Sequence, residues 1–248
     1  MEEDLALNEA NQARVAAVRR WCEDTVTLRL DAAPPPFAAG QFVRLGLPTK
    51  GRPLLRSYSM ASAPGEPPEF LVERVPGGAL SPRLCALNPG ATLLWDPRPA
   101  GRFTLERVGS GESLWLVATG AGLAPFVSML RSGEPWRRFR RVVLVHAVAH
   151  PGQLAYREEL AALGAARGDG WASLARTGAD ATPEALAAAL ADGRLEAAAG
   201  APLDARAQVL LCGDPRVLDA ARAALEARGL RRNRPRAPGQ ITSEKYWA

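Results

Sequence analysis

Two segments carry residue types that could do chemistry together. Arg56-Ser57-Tyr58-Ser59-Met60-Ala61-Ser62 alternates a cation, hydroxyls and an aromatic ring. On an extended strand one face would present Arg56, Tyr58 and Met60, and the other Ser57, Ser59 and Ala61. Arg56 suits a phosphate, Tyr58 a flat ring to stack on, and Ser59 a ring edge or a ribityl hydroxyl. By itself the heptapeptide fits an exposed strand with a polar face equally well. The second segment, Val117-Ala118-Thr119-Gly120-Ala121-Gly122-Leu123-Ala124-Pro125, reads as an apolar strand, a glycine turn and a helix start. Such a turn lets backbone N–H groups approach a phosphate or a carboxamide, and Gly213-Asp214-Pro215 repeats the arrangement after a later apolar run. Neither is the GxGxxG fingerprint of an ordinary Rossmann dehydrogenase, and a lone Gly-x-Gly is more often punctuation between strand and helix. Together the segments suggest two nucleotides on one chain.

The elements that must position them differ in character on either side of residue 105. Before it, Ala13 to Trp21, Thr25 to Leu30, Gln41 to Leu47, Leu55 to Ala61, Glu69 to Val75 and Thr92 to Trp95 are strand-like. Turns fall at Pro34-Pro35-Pro36, Gly51-Arg52-Pro53 and Pro64-Gly65-Glu66. Short strands with little helix favour a closed barrel, because closure removes exposed edges. One helix interrupts them: Ser81-Pro82-Arg83-Leu84 is expected to place Ser81 at the N-cap and Pro82 at the first helical position, an anion-friendly start after Gly77-Gly78. After residue 105, strands Ser113 to Ala118, Val142 to Ala147, Trp171 to Arg176 and Gln208 to Cys212 alternate with helices Leu123 to Arg131, Leu154 to Ala166, Pro183 to Leu190 and Pro215 to Arg228. That alternation implies right-handed crossovers and a parallel sheet whose ligand lies at the carboxyl ends of the strands, where both glycine turns fall.

Composition narrows the chemistry. The 248 residues suffice for two domains, expected at 1–108 and 109–248, with residues 1–12 read as a disordered lead. No apolar run reaches the ~18 residues of a membrane span, and Met1-Glu2-Glu3-Asp4 is not signal-like, so a cytoplasmic protein without membrane association is expected. Cys22, Cys85 and Cys212 are too few for an iron–sulfur cluster and too scattered for a disulfide framework. His146 and His150 are spaced by four on or just past a strand, where they do not converge on a metal, so no metal is expected and any redox centre must be organic. The net charge of +5 includes arginine clusters at 137–141 and 228–236. They read either as a solvated surface or as a patch for an acidic partner; no stacking module or reading helix accompanies them to favour nucleic acid.

Taken in order, the pieces resemble the bacterial ferredoxin (flavodoxin)–NADP reductases of the ferredoxin-reductase-like flavoprotein family. Ala39-Gly40-Gln41-Phe42 is similar to that family's entry to the third strand, and Arg56-Ser57-Tyr58-Ser59 to its flavin-binding R-x-Y-S element. Pro76-Gly77-Gly78-Ala79-Leu80-Ser81 resembles the loop over the FAD pyrophosphate, and Ala118 to Pro125 the nicotinamide turn. Leu211-Cys212-Gly213-Asp214-Pro215 resembles the C-G-x-P loop, and Pro238 to Trp247 the aromatic tail of the bacterial subclass.

The resemblance implies a six-stranded Greek-key β-barrel for FAD followed by an α/β domain for NADP(H). It also implies hydride exchange between the nicotinamide and flavin N5, and single-electron exchange with ferredoxin or flavodoxin, met as a monomer through the basic surface. Arg56, Ser57, Tyr58, Ser59, Val72, Ala79, Leu80, Ser81, Ala121, Tyr246 and Trp247 would hold FAD, with Tyr58, Ser59 and Ala121 at the reacting rings. Thr119, Gly120, Gly122, Val148, Ala149, Ala175, Arg176, Gly213, Asp214 and Pro215 would hold the dinucleotide. The chain also departs from the pattern. Ala121 replaces the family's threonine, losing a hydroxyl near flavin N5. Val148-Ala149 and Thr182 to Leu186 stand where relatives carry arginines for the 2'-phosphate, leaving Arg176 as the matching cation. Two lost contacts worth ~1.5–3 kcal/mol each would erode the preference for NADP over NAD. The alternatives are therefore an NADH-preferring flavin reductase serving another acceptor, and a flavin-binding regulatory module with impaired turnover.

Overall fold

The computed structural model describes residues 12–48 and 53–246. Within residues 12–100 the alternating runs pair into one antiparallel sheet: β1 (Gln12–Cys22), β2 (Thr25–Asp31), β3 (Phe42–Leu47), β4 (Leu54–Ser59), β5 (Glu69–Glu73) and, after the short helix α1 (Ser81–Cys85), β6 (Thr92–Ala100). Their order is β4-β3-β6-β1-β2-β5, so β6 returns between β3 and β1 as a Greek key requires. Period-two alternation turns Val15, Leu28, Leu45, Phe70, Val72 and Leu93 inward, and Leu84 of α1 packs into the same core. The edge strands meet only at one end. There Met60 bridges Phe70 and the Ala61 N–H donates to the Glu69 carbonyl at 2.7 Å, curling the sheet into a half-closed barrel.

Two local expectations change. Ser81 is the first helical residue rather than the N-cap, which is Leu80. The Ser81 hydroxyl instead accepts the Val75 N–H at 2.9 Å and ties down the loop before α1. β6 runs on past Trp95 to Ala100 despite Pro97 and Pro99. Over that stretch its ladder is with β3 alone, which tolerates missing N–H groups on the free side, and buried Asp96 is paired by Arg44 and Arg98.

The second sheet comprises β7 (Ser113–Thr119), β8 (Arg141–Val148), β9 (Trp171–Thr177), β10 (Ala207–Gly213) and β11 (Ile241–Lys245), all parallel, in the order β11-β10-β7-β8-β9. Helices α2 (Ala124–Ser132), α3 (Glu134–Arg138), α4 (Arg157–Arg167), α5 (Pro183–Ala191), α6 (Arg194–Ala199) and α7 (Pro215–Ala227) cover it. Every residue of β7 and β10 is buried because helices lie on both faces. Leu114, Leu116 and Ala118 face Phe126 and Met129, whereas Trp115 and Val117 face Leu186, Leu190 and Leu218. β11, α3 and α6 go beyond the elements read from the sequence. A tight turn over Gly120–Leu123 precedes α2, and α4 starts at Arg157 rather than Leu154 because Tyr156, at φ +57°, breaks the helical path.

The two sheets share one apolar seam of Leu71, Phe103, Leu105, Leu123 and Phe126, and a polar clasp runs beside it. Arg131 of α2 donates to the Ala61 carbonyl at 2.9 Å, to Glu69 at 2.8 Å and to Glu159 of α4 at 2.7 Å. The Tyr156 hydroxyl donates to Glu69 at 2.9 Å and accepts from Thr27. Among the described residues no helix is long and apolar enough to cross a membrane.

Candidate active site

The seam opens at the carboxyl end of the parallel sheet into a cleft of about 560 Å³. From the barrel, β4 supplies Arg56, Ser57, Tyr58 and Ser59, and the loop before α1 supplies Gly78, Ala79, Leu80 and Ser81. Arg56 and Ser57 are exposed, Tyr58 is half-buried against the barrel core, and Ser59 is buried. Burial pushes the Tyr58 phenol upward, so it stays protonated. β5 contributes Leu71 and Glu73; the alternation sends Val72 into the barrel core instead, so its side chain does not reach the cleft. Leu71 and Glu73 were legible only with the strand's phase known.

The opposite wall comes from β11, whose register beside β10 sets Glu244 level with Cys212. The Tyr246 N–H donates to the Gly213 carbonyl at 2.9 Å, carrying the strand direction one residue further, and its hydroxyl donates to Ser59 Oγ at 2.8 Å. Burial pushes the Glu244 carboxyl up to about 7, opposed by a hydrogen bond with the Ser59 hydroxyl. The Cys212 thiol lies buried beside this pair and is pushed up by burial and by the Glu244 charge. Glu244 was not among the expected site residues. The signal that finds it is its spacing of two from Tyr246, which shares a face once the tail is a strand. Trp247 lies outside the described residues.

The nicotinamide-like turn is held tightly. Gly120 has φ +49°, and a Cβ on Gly122 would lie 2.2 Å from the Cys212 carbonyl oxygen, so the two glycine turns nest against each other. Thr119 Oγ1 accepts the Asp214 N–H at 2.7 Å, and the Asp214 carboxylate caps α7 by accepting the Arg216 N–H at 2.8 Å, with Pro215 opening that helix. His146 is buried in β8, and burial pushes it down to about 4, so it is neutral; its Nε2 sits 3.0 Å from the Gly120 carbonyl oxygen and donates to it. The Ala121 N–H donates to Glu73 Oε2 at 2.9 Å. Of the turn's N–H groups, that of Ala121 is thus engaged within the protein.

Of the expected dinucleotide residues, Thr119, Gly120, Gly122, Gly213, Asp214 and Pro215 therefore converge beside the cleft. Val148 is buried at the end of β8, whereas Ala149 and Ala175 are exposed farther along the sheet. Arg176 lies there too, paired with Asp180 at 3.3 Å. His150 is exposed, and among the described residues no three potential metal ligands cluster.

Residues 116–223 match the model of the oxidoreductase NAD-binding domain. A flavodoxin/ferredoxin–NADP reductase of Escherichia coli is 35% identical over 242 residues, covering 94% of this chain and 97% of the relative. Ferredoxin–NADP reductase A of Sorangium cellulosum is 38% identical over 248 residues, covering 94% and 89%. The chain belongs to the flavodoxin/ferredoxin–NADP reductase family. A reductase crystal structure, that of a ferredoxin NADP+ reductase from Neisseria gonorrhoeae with bound FAD and NADP, matches with a TM-score of 0.87 at 28% identity, covering 94% of this chain and 97% of that one. The reductase fold thus accounts for both sheets, and the cleft lies where they meet.

Proposed function

We propose that this chain is an FAD-dependent oxidoreductase that moves electrons between NADP(H) and a one-electron carrier, ferredoxin or flavodoxin. The observation that carries this reading is the meeting of Tyr58, Ser59, Ala121 and Tyr246 in one cleft between a barrel and a parallel sheet. The residues present fit a flavin. Two phenol rings with Leu54 and Leu71 offer flat apolar walls, Arg56 offers a cation, and the Gly78–Ser81 loop offers backbone donors, in a volume typical of cofactor sites. Bound there, FAD supplies the exchange between a two-electron hydride donor and a one-electron carrier.

The chain's own residues align and insulate. Tyr58 and Tyr246 form walls that exclude water, and Arg56 with the loop before α1 holds the pyrophosphate end. Ser59 and Glu244 form a hydrogen-bonded pair at the cleft, and with its pKa raised by burial to about 7 the carboxyl is present in both protonated and ionised forms at neutral pH. Thr119, Gly122 and Gly213 shape the dinucleotide turn. The division between the two units is placed after Val108, supported by the separate hydrogen bonding of the two sheets. Carrier docking is assigned to the basic surface: of the two arginine clusters, Arg137, Arg140, Arg231, Arg234 and Arg236 are exposed, whereas Arg138, Arg141 and Arg228 are occupied by the protein's own carbonyls and carboxylates.

One observation favours the NADH-preferring alternative. Arg176 is engaged by Asp180, and Ala149 adds no second cation for a 2'-phosphate. The test is flavin reduction by NADPH and by NADH in the FAD-loaded protein, followed by electron delivery to flavodoxin. A yellow protein bleached by NADPH and reoxidised by the carrier is expected. A protein that binds no FAD, or whose flavin neither nucleotide reduces, overturns the reading; a preference for NADH above about tenfold selects the alternative.

A further inference from the structure

Glu73 projects from the barrel strand β5, yet both its carboxylate oxygens are used by donors of the parallel-sheet unit. Oε2 accepts the Ala121 N–H at 2.9 Å, and Oε1 accepts Gln153 Nε2 at 3.3 Å. Gln153 belongs to the turn after β8, where its own Oε1 accepts the His150 N–H at 3.2 Å. The Gly120 carbonyl and the Ala121 N–H belong to a single peptide unit. That unit is gripped on its oxygen by His146 from β8 and on its nitrogen by Glu73 from β5. The fit is close enough that a Cβ on Gly120 would lie 2.0 Å from Glu73 Oε2. Gly120, at φ +49°, is thus required both by the backbone and by the carboxylate beside it.

We propose that Glu73 is a positioning residue for hydride transfer, fixing the Gly120–Ala121 peptide across the seam so that the dinucleotide turn is presented to the flavin side of the cleft in one orientation. This rests on the function proposed above. A peptide plane bonded at one end only can rotate, and a reacting geometry displaced by an ångström costs orders of magnitude in rate. With Ala121 in place of a hydroxyl-bearing residue, the side chain at that position holds nothing, and the orientation falls to the backbone and Glu73.

The carboxylate is also a charge whose state depends on pH. Burial is the largest influence on it and raises its pKa; the Ala121 N–H opposes this, Asp24 from the β1–β2 turn and Asp214 from the turn after β10 add to the rise, and His150 lowers it. Glu73 therefore takes up a proton at a higher pH than an ordinary glutamate, and the charge-assisted bond to Ala121 weakens on that side.

The direct readout is the Ala121 amide in the whole protein by NMR. In the native chain its resonance should move with pH as Glu73 ionises, and it should exchange slowly with solvent. Glu73→Gln should keep the slow exchange and abolish the titration, whereas Glu73→Ala should speed exchange about tenfold or more. In the FAD-loaded protein, Glu73→Ala should slow flavin reduction at saturating nucleotide about tenfold or more, with little change in KM. Glu73→Gln should restore most of that rate while losing the acid limb of the pH profile. A folded Glu73→Ala protein reduced at the native rate overturns the proposal, as does an Ala121 amide indifferent to pH and to both substitutions. If Glu73→Ala does not fold, the native titration and the Glu73→Gln profile decide. Failure of native flavin reduction with either nucleotide would instead count against the function proposed above, while the amide measurement still reports on the Glu73 contact.

Discussion

Glu244 shows how one residue couples the cleft to pH. Its carboxyl is ordinarily near 4.5 and stands at about 7 in the folded protein because burial disfavours the charge. Between those values the unfolded chain has released a proton that the folded chain still holds. Stability contributed by this group is therefore full below about 4.5, falls as pH rises, and levels off above about 7. In the flavin-free protein, Glu244→Gln should remove that decline. The difference in unfolding free energy between variant and native chain, measured by urea denaturation, should grow by about 1–3 kcal/mol in favour of the variant from pH 5 to pH 8. A pH-independent difference would show that the carboxyl titrates normally. His146 moves the other way, staying neutral through the same interval, so the bond it donates to Gly120 is unaffected there.

At the scale of elements, the nested turns after β7 and β10 matter most. Gly122→Ala would drive a methyl against the Cys212 carbonyl, which is backbone and cannot swing away. A loss of about 1–3 kcal/mol in unfolding free energy is expected, together with weaker dinucleotide binding, read by thermal denaturation and by titration with NADP+. Elements were legible where their periodicity was clean. The barrel strands alternate and β7, β8 and β10 of the parallel sheet run largely apolar, so both sheets could be read. β11 could not, because Ile241–Lys245 is a polar edge strand whose only marker is the ladder it forms with β10. Of the site, Arg56 to Ser59 and the glycine turns were legible from residue type and spacing. Val72 turns its side chain into the barrel core, between Leu71 and Glu73, which line the cleft. Glu73 and Glu244 were missed because their chemistry arises from partners brought close only by the fold: Ala121 lies 48 positions from Glu73.

For the whole molecule, the arrangement of the two sheets depends on a small polar clasp beside a dry seam. Arg131 pairs with Glu69 from the barrel and Glu159 from α4, and its side chain is only 21% exposed. Arg131→Ala would leave Glu69 and Glu159 without their cation and remove the guanidinium from over the Tyr156 ring. It should cost about 2–4 kcal/mol of unfolding free energy by urea denaturation, with Arg131→Met recovering part through packing. A change below about 0.5 kcal/mol would mean that the apolar seam alone holds the units together. The hydrogen bond between Ser59 and Tyr246 joins residues 187 positions apart. During synthesis the barrel emerges first, yet one wall of its cleft is made by a strand that must wait for four others to assemble. The cofactor pocket is therefore finished last, and a newly made chain gains its complete grip on a ligand only after the second sheet has closed, which makes ligand loading a report on the folding of the entire polypeptide.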